Sequence, residues 1–133
     1  VFACGNVCHV HDLVDFVTGE SQKAGKAAAK YISENSSSEF RKIEILNGEG
    51  IFYTVPQNIR VENIENRLEI FFRVKSVEKN IVISVTDENG NIIKEFKRPH
   101  VAPAEMEKIS LTKKQIESVS TDKMIISMKK GVE

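Results

Sequence analysis

Four residues whose side chains could bind a metal ion lie close together near the start of the chain: Cys4, Cys8, His9 and His11. Thiolate and imidazole groups are good ligands for zinc. The spacing Cys-x-x-x-Cys-His-x-His does not match a standard structural zinc pattern, and Cys4 falls in an apolar run expected to point into a core. We therefore predict no metal site among these residues and interpret the two histidines as loop residues.

The segment 1–32 is predicted to fold as a strand, a tight turn and a helix. The apolar run Val1–Cys4 ends at the pair Gly5-Asn6, and from Asp12 onward apolar residues recur at helical spacing. Gly5 has no Cβ, so its backbone can approach a ligand closely, and the Asn6 side chain can hydrogen-bond a hydroxyl. The simpler alternative is that Gly5-Asn6 is only a turn after a strand. Because one strand cannot satisfy its own backbone groups, we expect the segment to be the end of a larger domain whose other strands lie upstream.

Residues 1–7 resemble the last FAD-contacting motif of the flavin-dependent pyridine nucleotide oxidoreductases, a strand that reads roughly (I/V)-(F/Y)-A-(A/C)-G-D. The stretches His9–Asp15 and Ala24–Ala28 are similar to one subgroup of these NAD(P)/FAD oxidoreductases, the dehydrogenases of the anaerobic glycerol phosphate or sarcosine oxidase alpha type. The resemblance implies that this part of the chain belongs to a flavin-binding α/β domain.

The resemblance also implies which residues contact FAD in the parent protein. These are Gly5, Asn6 and the backbone of Leu13 and Val14 at the start of the helix, where free N–H groups and the helix dipole favour an electron-rich partner. The family normally has Asp where this chain has Asn6, so the charge-assisted strength of that hydrogen bond is lost. By the same resemblance, the loop histidines would lie near the flavin edge.

Motifs that a complete flavin enzyme needs are missing from the sequence. It has no Gly-x-Gly-x-x-Gly, which cradles the pyrophosphate of a dinucleotide, and no Cys-x-x-Cys. We therefore predict no catalytic residue in this chain, and we expect FAD to bind the full-length parent and not this segment alone. The implied partners are the remainder of the parent flavin domain, a second copy of the chain or other oxidoreductase subunits.

The pattern of the chain changes after a polar, serine-rich stretch. We predict an incomplete FAD/NAD(P)-binding domain at 1–34, a linker at 35–40 and an accessory domain at 41–133. Apolar and polar residues alternate in 67–75 and again in 81–85, and Asn89-Gly90 is a strong hairpin signal, in which both central residues are expected to take positive φ. The changing phase of Met106, Ile109 and Leu111 predicts a strand with a kink, Thr112 is expected to cap one helical turn, and 124–128 are expected to form the final strand. About seven short strands with regular turns favour an antiparallel, immunoglobulin-like β-sandwich, with a small barrel as the alternative, so that the protein as a whole is expected to be mainly β. Phe71 lies on the face expected to be solvated and is a candidate partner contact.

Composition restricts the remaining function classes. The 133 residues carry a formal net charge of zero, so no basic field for nucleic acid is expected. No apolar run is long enough to span a membrane and no secretory signal is recognisable, which favours a cytoplasmic location and argues against a disulfide between the cysteines. The sandwich shows no catalytic constellation and is interpreted as an accessory or subunit-contact module. The alternative is a stand-alone immunoglobulin-like binding or structural domain with a helical arm.

Overall fold

The computed structural model describes residues 2–33 and 39–131 and divides into two compact units, Val1–Glu39 and Phe40–Glu133. The protein is mainly β, with 45% of its residues in strands and 25% in helices. The linker predicted at 35–40 falls largely on 34–38, which lie outside the described residues. The described helices include none that is long and apolar enough to cross a membrane.

The N-terminal unit consists of an extended segment, a 3-10 turn at Gly5–Val7 and one long helix, α1 (Val14–Ser33). The predicted helix is confirmed. The predicted strand is wrong for the described residues 2–4, although Cys4 has extended backbone angles. The physical reason is that the described part of this unit offers no second strand with which to form a ladder. Instead, the Phe2 ring packs edge-to-face against Tyr31 near the end of α1, with ring centroids 5.8 Å apart.

Over its described residues, 40–131, the C-terminal unit contains eight strands, a second 3-10 turn and a short helix. In chain order these are β1 (Lys42–Asn47), β2 (Ile51–Val55), β3 (Asn58–Arg60), the turn Val61–Asn63, β4 (Arg67–Val74), β5 (Glu78–Asp87), β6 (Ile92–Val101), β7 (Glu107–Thr112), α2 (Lys113–Glu117) and β8 (Lys123–Lys130).

The strands of this unit form two sheets. One has the order β3-β1-β8-β5-β6 and the other the order β2-β4-β7. The alternation read from the sequence of β4 is confirmed, because Ile70, Phe72 and Val74 are buried. Buried apolar side chains from both sheets form one hydrophobic core, whose largest fully buried members are Ile43, Ile51, Ile70, Phe72, Ile83, Ile109, Leu111, Ile116, Met124 and Ile126.

One strand pairing differs from the predicted antiparallel arrangement. β1 and β8 pair in parallel, with Glu44 opposite Lys123 and Asn47 opposite Ile126. Parallel neighbours require a crossover connection, and here the crossover is everything from β2 to α2. Local sequence patterns report the period of a strand and the turn that follows it, so they carry no signal for a pairing across this distance.

The positions of the β5–β6 hairpin and of the short helix agree with the predictions made from the sequence. The hairpin predicted at Asn89-Gly90 joins β5 to β6, but only Gly90 has a positive φ (85°), so the expectation that both central residues would take positive φ is wrong. The single helical turn predicted near Thr112 is confirmed as α2, with a complete capping box between Thr112 and Gln115. The kink expected near Met106 is absent, because β7 pairs with β4 in continuous register from Glu107 to Thr112.

Candidate functional site

The loop between the first 3-10 turn and α1 brings two histidines onto a glutamate of the helix. The His9 and His11 side chains are 1% and 0% exposed, and Glu20 is 22% exposed. His11 Nε2 lies 2.5 Å from Glu20 Oε2, and His9 Nε2 lies 4.0 Å from Glu20 Oε1. The two imidazole rings meet edge-to-face with their centroids 4.1 Å apart. We call these three residues the His-Glu cluster.

Gly5 shapes the loop so that the cluster can form. Its φ is +74°, a left-handed conformation that side chains rarely allow, and its carbonyl accepts the backbone N–H of Cys8 at 2.9 Å. Its own N–H donates to Glu20 Oε2 at 2.9 Å, which ties the turn directly to α1. The exposed Asn6 side chain accepts the backbone N–H of His11 at 3.4 Å and so fixes the other end of the loop.

The predicted cofactor-binding residues lie around this loop. Gly5 is buried, whereas Asn6, Leu13 and Val14 are exposed. Leu13 and Val14 stand at the start of α1, and the Leu13 carbonyl accepts the first helical N–H, from Phe16, at 3.2 Å. The first N–H groups of a helix have no partner within the helix, and in α1 this end begins at Val14.

The two cysteines do not join the cluster. Cys8 is exposed, and Cys4 Sγ lies 3.9 Å from the Ser21 hydroxyl. Partial burial, the negative charge of Glu20 and the neighbouring Cys4 raise the pKa of the Cys8 thiol. A raised pKa lowers the fraction of reactive thiolate at neutral pH. No disulfide links them.

Glu20 is the member of the cluster that sequence reasoning missed. A signal for it exists in the spacing of α1, where Phe16, Ala24 and Ala28 recur every four residues along one face. Glu20 occupies the same stripe and is the only charged residue among these four positions. An acid in an otherwise apolar stripe is expected to have a specific partner, and here the partner is His11.

In the C-terminal unit, the polar side chains of Asp87, Arg98 and Glu107 form contacts that hold turns and strands in place. The buried Asp87 carboxylate organises the β5–β6 turn, and Arg98 of β6 pairs with Glu107 of β7 at 2.8 Å. His100 lies 3.8 Å from the exposed Glu105. Phe71 is half-buried within β4, opposite Val55 on one side and Lys108 on the other.

The His-Glu cluster is therefore the one group in the described ranges, 2–33 and 39–131, that brings three possible metal-binding side chains together. No protein-family model, curated protein or solved structure matches this chain.

Proposed function

We propose that this chain is the C-terminal part of an FAD-dependent pyridine nucleotide oxidoreductase, with the β unit as an accessory or subunit-contact module. In this proposal the N-terminal unit completes the flavin site of the parent, and FAD binds only when the rest of the flavin domain is present. Gly5, Asn6 and the backbone of Leu13 and Val14 are the proposed contacts, and the chain alone has no catalytic residue.

The observation that carries the proposal is the exposed apolar surface of α1. The helix buries none of its 20 residues. Val14 is 75% exposed and Ile32 82% exposed, and Leu13 and Tyr31 are also exposed. Isolated helices of this length are marginal in water, and most of the stability of a protein helix comes from packing its apolar face. A neighbouring domain that covers this face would supply that packing.

The loop geometry supports the same proposal. The positive φ of Gly5 opens the turn Gly5–Val7, which residues 8–13 connect to the N-terminus of α1, and the exposed Asn6 side chain lies on that turn. A helix N-terminus combined with a close backbone approach is a common arrangement for binding an electron-rich group of a cofactor. In the proposed parent, residues 1–4 would form a strand, because the flavin domain would supply neighbouring strands with which it could pair.

The second candidate is a stand-alone immunoglobulin-like binding or structural domain with a helical arm. The observation that favours it is the closed core of the C-terminal unit, to which both sheets contribute. β7 and β8 lie in different sheets, whereas the last two strands of immunoglobulin constant domains share one sheet. The two-sheet arrangement, and not the strand order, therefore supports this candidate.

The test is flavin retention by the product of the complete reading frame that contains this sequence. We expect a yellow protein whose bound-flavin absorption falls severalfold in Asn6→Ala and is unchanged in Asn89→Ala, a substitution in an exposed turn of the β unit. A colourless product that does not take up added FAD would overturn the oxidoreductase proposal and favour the stand-alone domain. Equal flavin retention in both variants would remove the role proposed for Asn6.

A further inference from the structure

We propose that His9, His11 and Glu20 bind a divalent transition-metal ion of the zinc class. This proposal concerns residues of the N-terminal unit only and does not depend on flavin binding. It replaces the sequence-based prediction of no metal, which weighed the cysteines with the histidines and did not include Glu20.

The geometry of the His-Glu cluster is close to that of a metal site. One ligand atom from each residue can be chosen so that all three lie within 4.8 Å of one another. In a tetrahedral zinc site each ligand atom is about 2.0–2.2 Å from the ion, so that the ligand atoms are roughly 3.3 Å apart. His11 Nε2 lies 2.5 Å from Glu20 Oε2 and His9 Nε2 lies 4.0 Å from the other carboxylate oxygen, Oε1, so each imidazole faces one oxygen of Glu20. With one ligand atom per residue, the limit of 4.8 Å means that side-chain shifts of about 1.5 Å or less would reach the zinc-site separation.

One loop and one helix position the three proposed ligands. His9 and His11 are two positions apart in an irregular loop, and Glu20 comes from the second turn of α1. Gly5 donates its N–H to the Glu20 carboxylate, and Asn6 holds the backbone N–H of His11. Hydrogen bonds from outside the ligand set orient the ligands of metal sites and raise their affinity. In this proposal the Gly5 contact has that role at the Glu20 carboxylate, whereas the Asn6 contact fixes the backbone of the loop at His11.

The donor set selects the class of ion. Two imidazole nitrogens and one carboxylate suit zinc and related transition metals, whereas calcium and magnesium prefer oxygen ligands alone. Three protein ligands leave the fourth tetrahedral position for water or another small ligand. Glu20 is the member of the cluster with solvent exposure, so the ion and its fourth ligand would approach from that side. The exposed Cys8 is not needed for the site.

The test is a metal titration of the full chain in the absence of flavin. We expect added Zn²⁺ to shift the imidazole nitrogen resonances of His9 and His11 in a heteronuclear NMR spectrum and to leave those of His100 unchanged, because His100 is not a member of the His-Glu cluster. The chain has three histidines, so each imidazole signal can be assigned through its own backbone resonances in the unsubstituted protein. This experiment uses the unsubstituted protein and therefore does not depend on any variant folding correctly.

Variants then identify the ligands. Glu20→Gln keeps the size of the side chain and removes the charge, and we expect it to lower the Zn²⁺ affinity at least about a hundredfold, more than the loss usually seen for an outer hydrogen-bond partner. Cys8→Ser is the control for thiolate binding and should leave the affinity unchanged. The far-UV circular dichroism of each variant checks that α1 has formed.

Several results would overturn the proposal. Unchanged imidazole signals for His9 and His11 at saturating Zn²⁺ would show that the cluster does not bind the ion. Loss of affinity in Cys8→Ser would show a thiolate site in place of the His-Glu cluster. Affinity unchanged in a folded Glu20→Gln would remove the carboxylate from the ligand set.

Discussion

The carboxylate of Asp87 accepts a hydrogen bond from the side-chain amide of Asn91 at 2.8 Å, across the turn that joins β5 to β6. The same carboxylate accepts the backbone N–H groups of Asn89 and Asn91, both at 2.9 Å, and the Ser120 hydroxyl at 3.0 Å. Asp87 is buried, so these four bonds replace the water that the charge would otherwise bind. This turn is held by an ionised side chain and therefore depends on pH.

Acid is expected to weaken the β unit through Asp87. The side-chain amide of Asn91, then its backbone N–H, Ser120 and Asn89, hold the pKa of Asp87 below its usual range, against the opposing effect of burial. A lowered pKa in the folded state stabilises the fold above the unfolded value of about 3.9, and this contribution is lost as the pH falls through the folded-state pKa. Free energies of unfolding measured by urea between about pH 7 and pH 2 should therefore fall less steeply in Asp87→Asn than in the unsubstituted chain.

The companion variant for this prediction is Asn91→Ala, which removes the largest cause of the lowered pKa. The acid transition of this variant should move to higher pH. If Asp87→Asn and the unsubstituted chain lose stability in parallel below pH 4, the ionised carboxylate does not hold the turn.

Substitution by alanine should destabilise the protein to different extents at two glycines that have positive φ. Gly50 (φ +74°) and Gly90 (φ +85°) both carry the backbone cost of a left-handed alanine, about 1–2 kcal/mol. A Cβ at Gly90 would meet nothing within 4 Å, whereas one at Gly50 would lie 2.9 Å from the Cβ of Met128. Gly50→Ala should therefore cost at least about 1 kcal/mol more than Gly90→Ala in chemical unfolding, because β8 must also move. Equal costs would mean that Met128 adapts freely.

Removing either of two buried hydroxyls of the β unit should change the free energy of unfolding, and the two changes should have opposite signs. Within the described ranges the Ser84 hydroxyl is buried without a hydrogen-bond partner, whereas the Thr54 hydroxyl donates to the Asn47 side-chain oxygen at 2.9 Å. Ser84→Ala should raise the free energy of unfolding by about 1 kcal/mol, because it removes a desolvated polar group. Thr54→Val keeps the shape of the side chain and should lower it by about 1 kcal/mol. Destabilisation by Ser84→Ala would show that this hydroxyl has an ordered water as its partner.

Replacing the glycines inside α1 should strengthen the helix. A Cβ at Gly19 or Gly25 would meet nothing within 4 Å, and neither residue has a positive φ. Each Gly→Ala change should stabilise the helix by about 0.5–1 kcal/mol, which is the helix-propensity difference between the two residues. The measurement is the helical far-UV circular dichroism signal as the temperature rises, with Gly90→Ala as the control. A weaker helical signal in either variant would point to a close neighbour at that glycine.

The sequence predicted the local elements of this protein well and its long-range contacts poorly. The alternation in β4, the hairpin after β5, the capped turn of α2 and the final strand near Met124 were all recognisable, since each is encoded by neighbouring residues. β3 was not predicted, because a three-residue strand with one apolar side chain, Ile59, shows no period. The parallel pairing of β1 and β8 depends on the complete fold.

In the candidate site, too, the local features could be predicted from the sequence and the long-range contact could not. The histidines were recognisable by residue type, and the turn at Gly5 by its glycine. Their partner Glu20 lies on a different element, so the cluster became visible only when α1 was placed against the loop. The strand expected over the first residues did not form in the described part, because a strand needs a neighbour that this unit does not provide.

The parallel pairing of β1 with β8 has a consequence for synthesis on the ribosome. β8 lies between β1 and β5 in the five-stranded sheet, so this sheet cannot close until Lys123–Lys130 have left the exit tunnel. Until then β1 and β5 each have an open edge, and unpaired edges invite pairing with other chains. The nascent β unit therefore exposes the edges of β1 and β5 for nearly the whole of its translation, and both edges are paired in one late step, when β8 inserts between them.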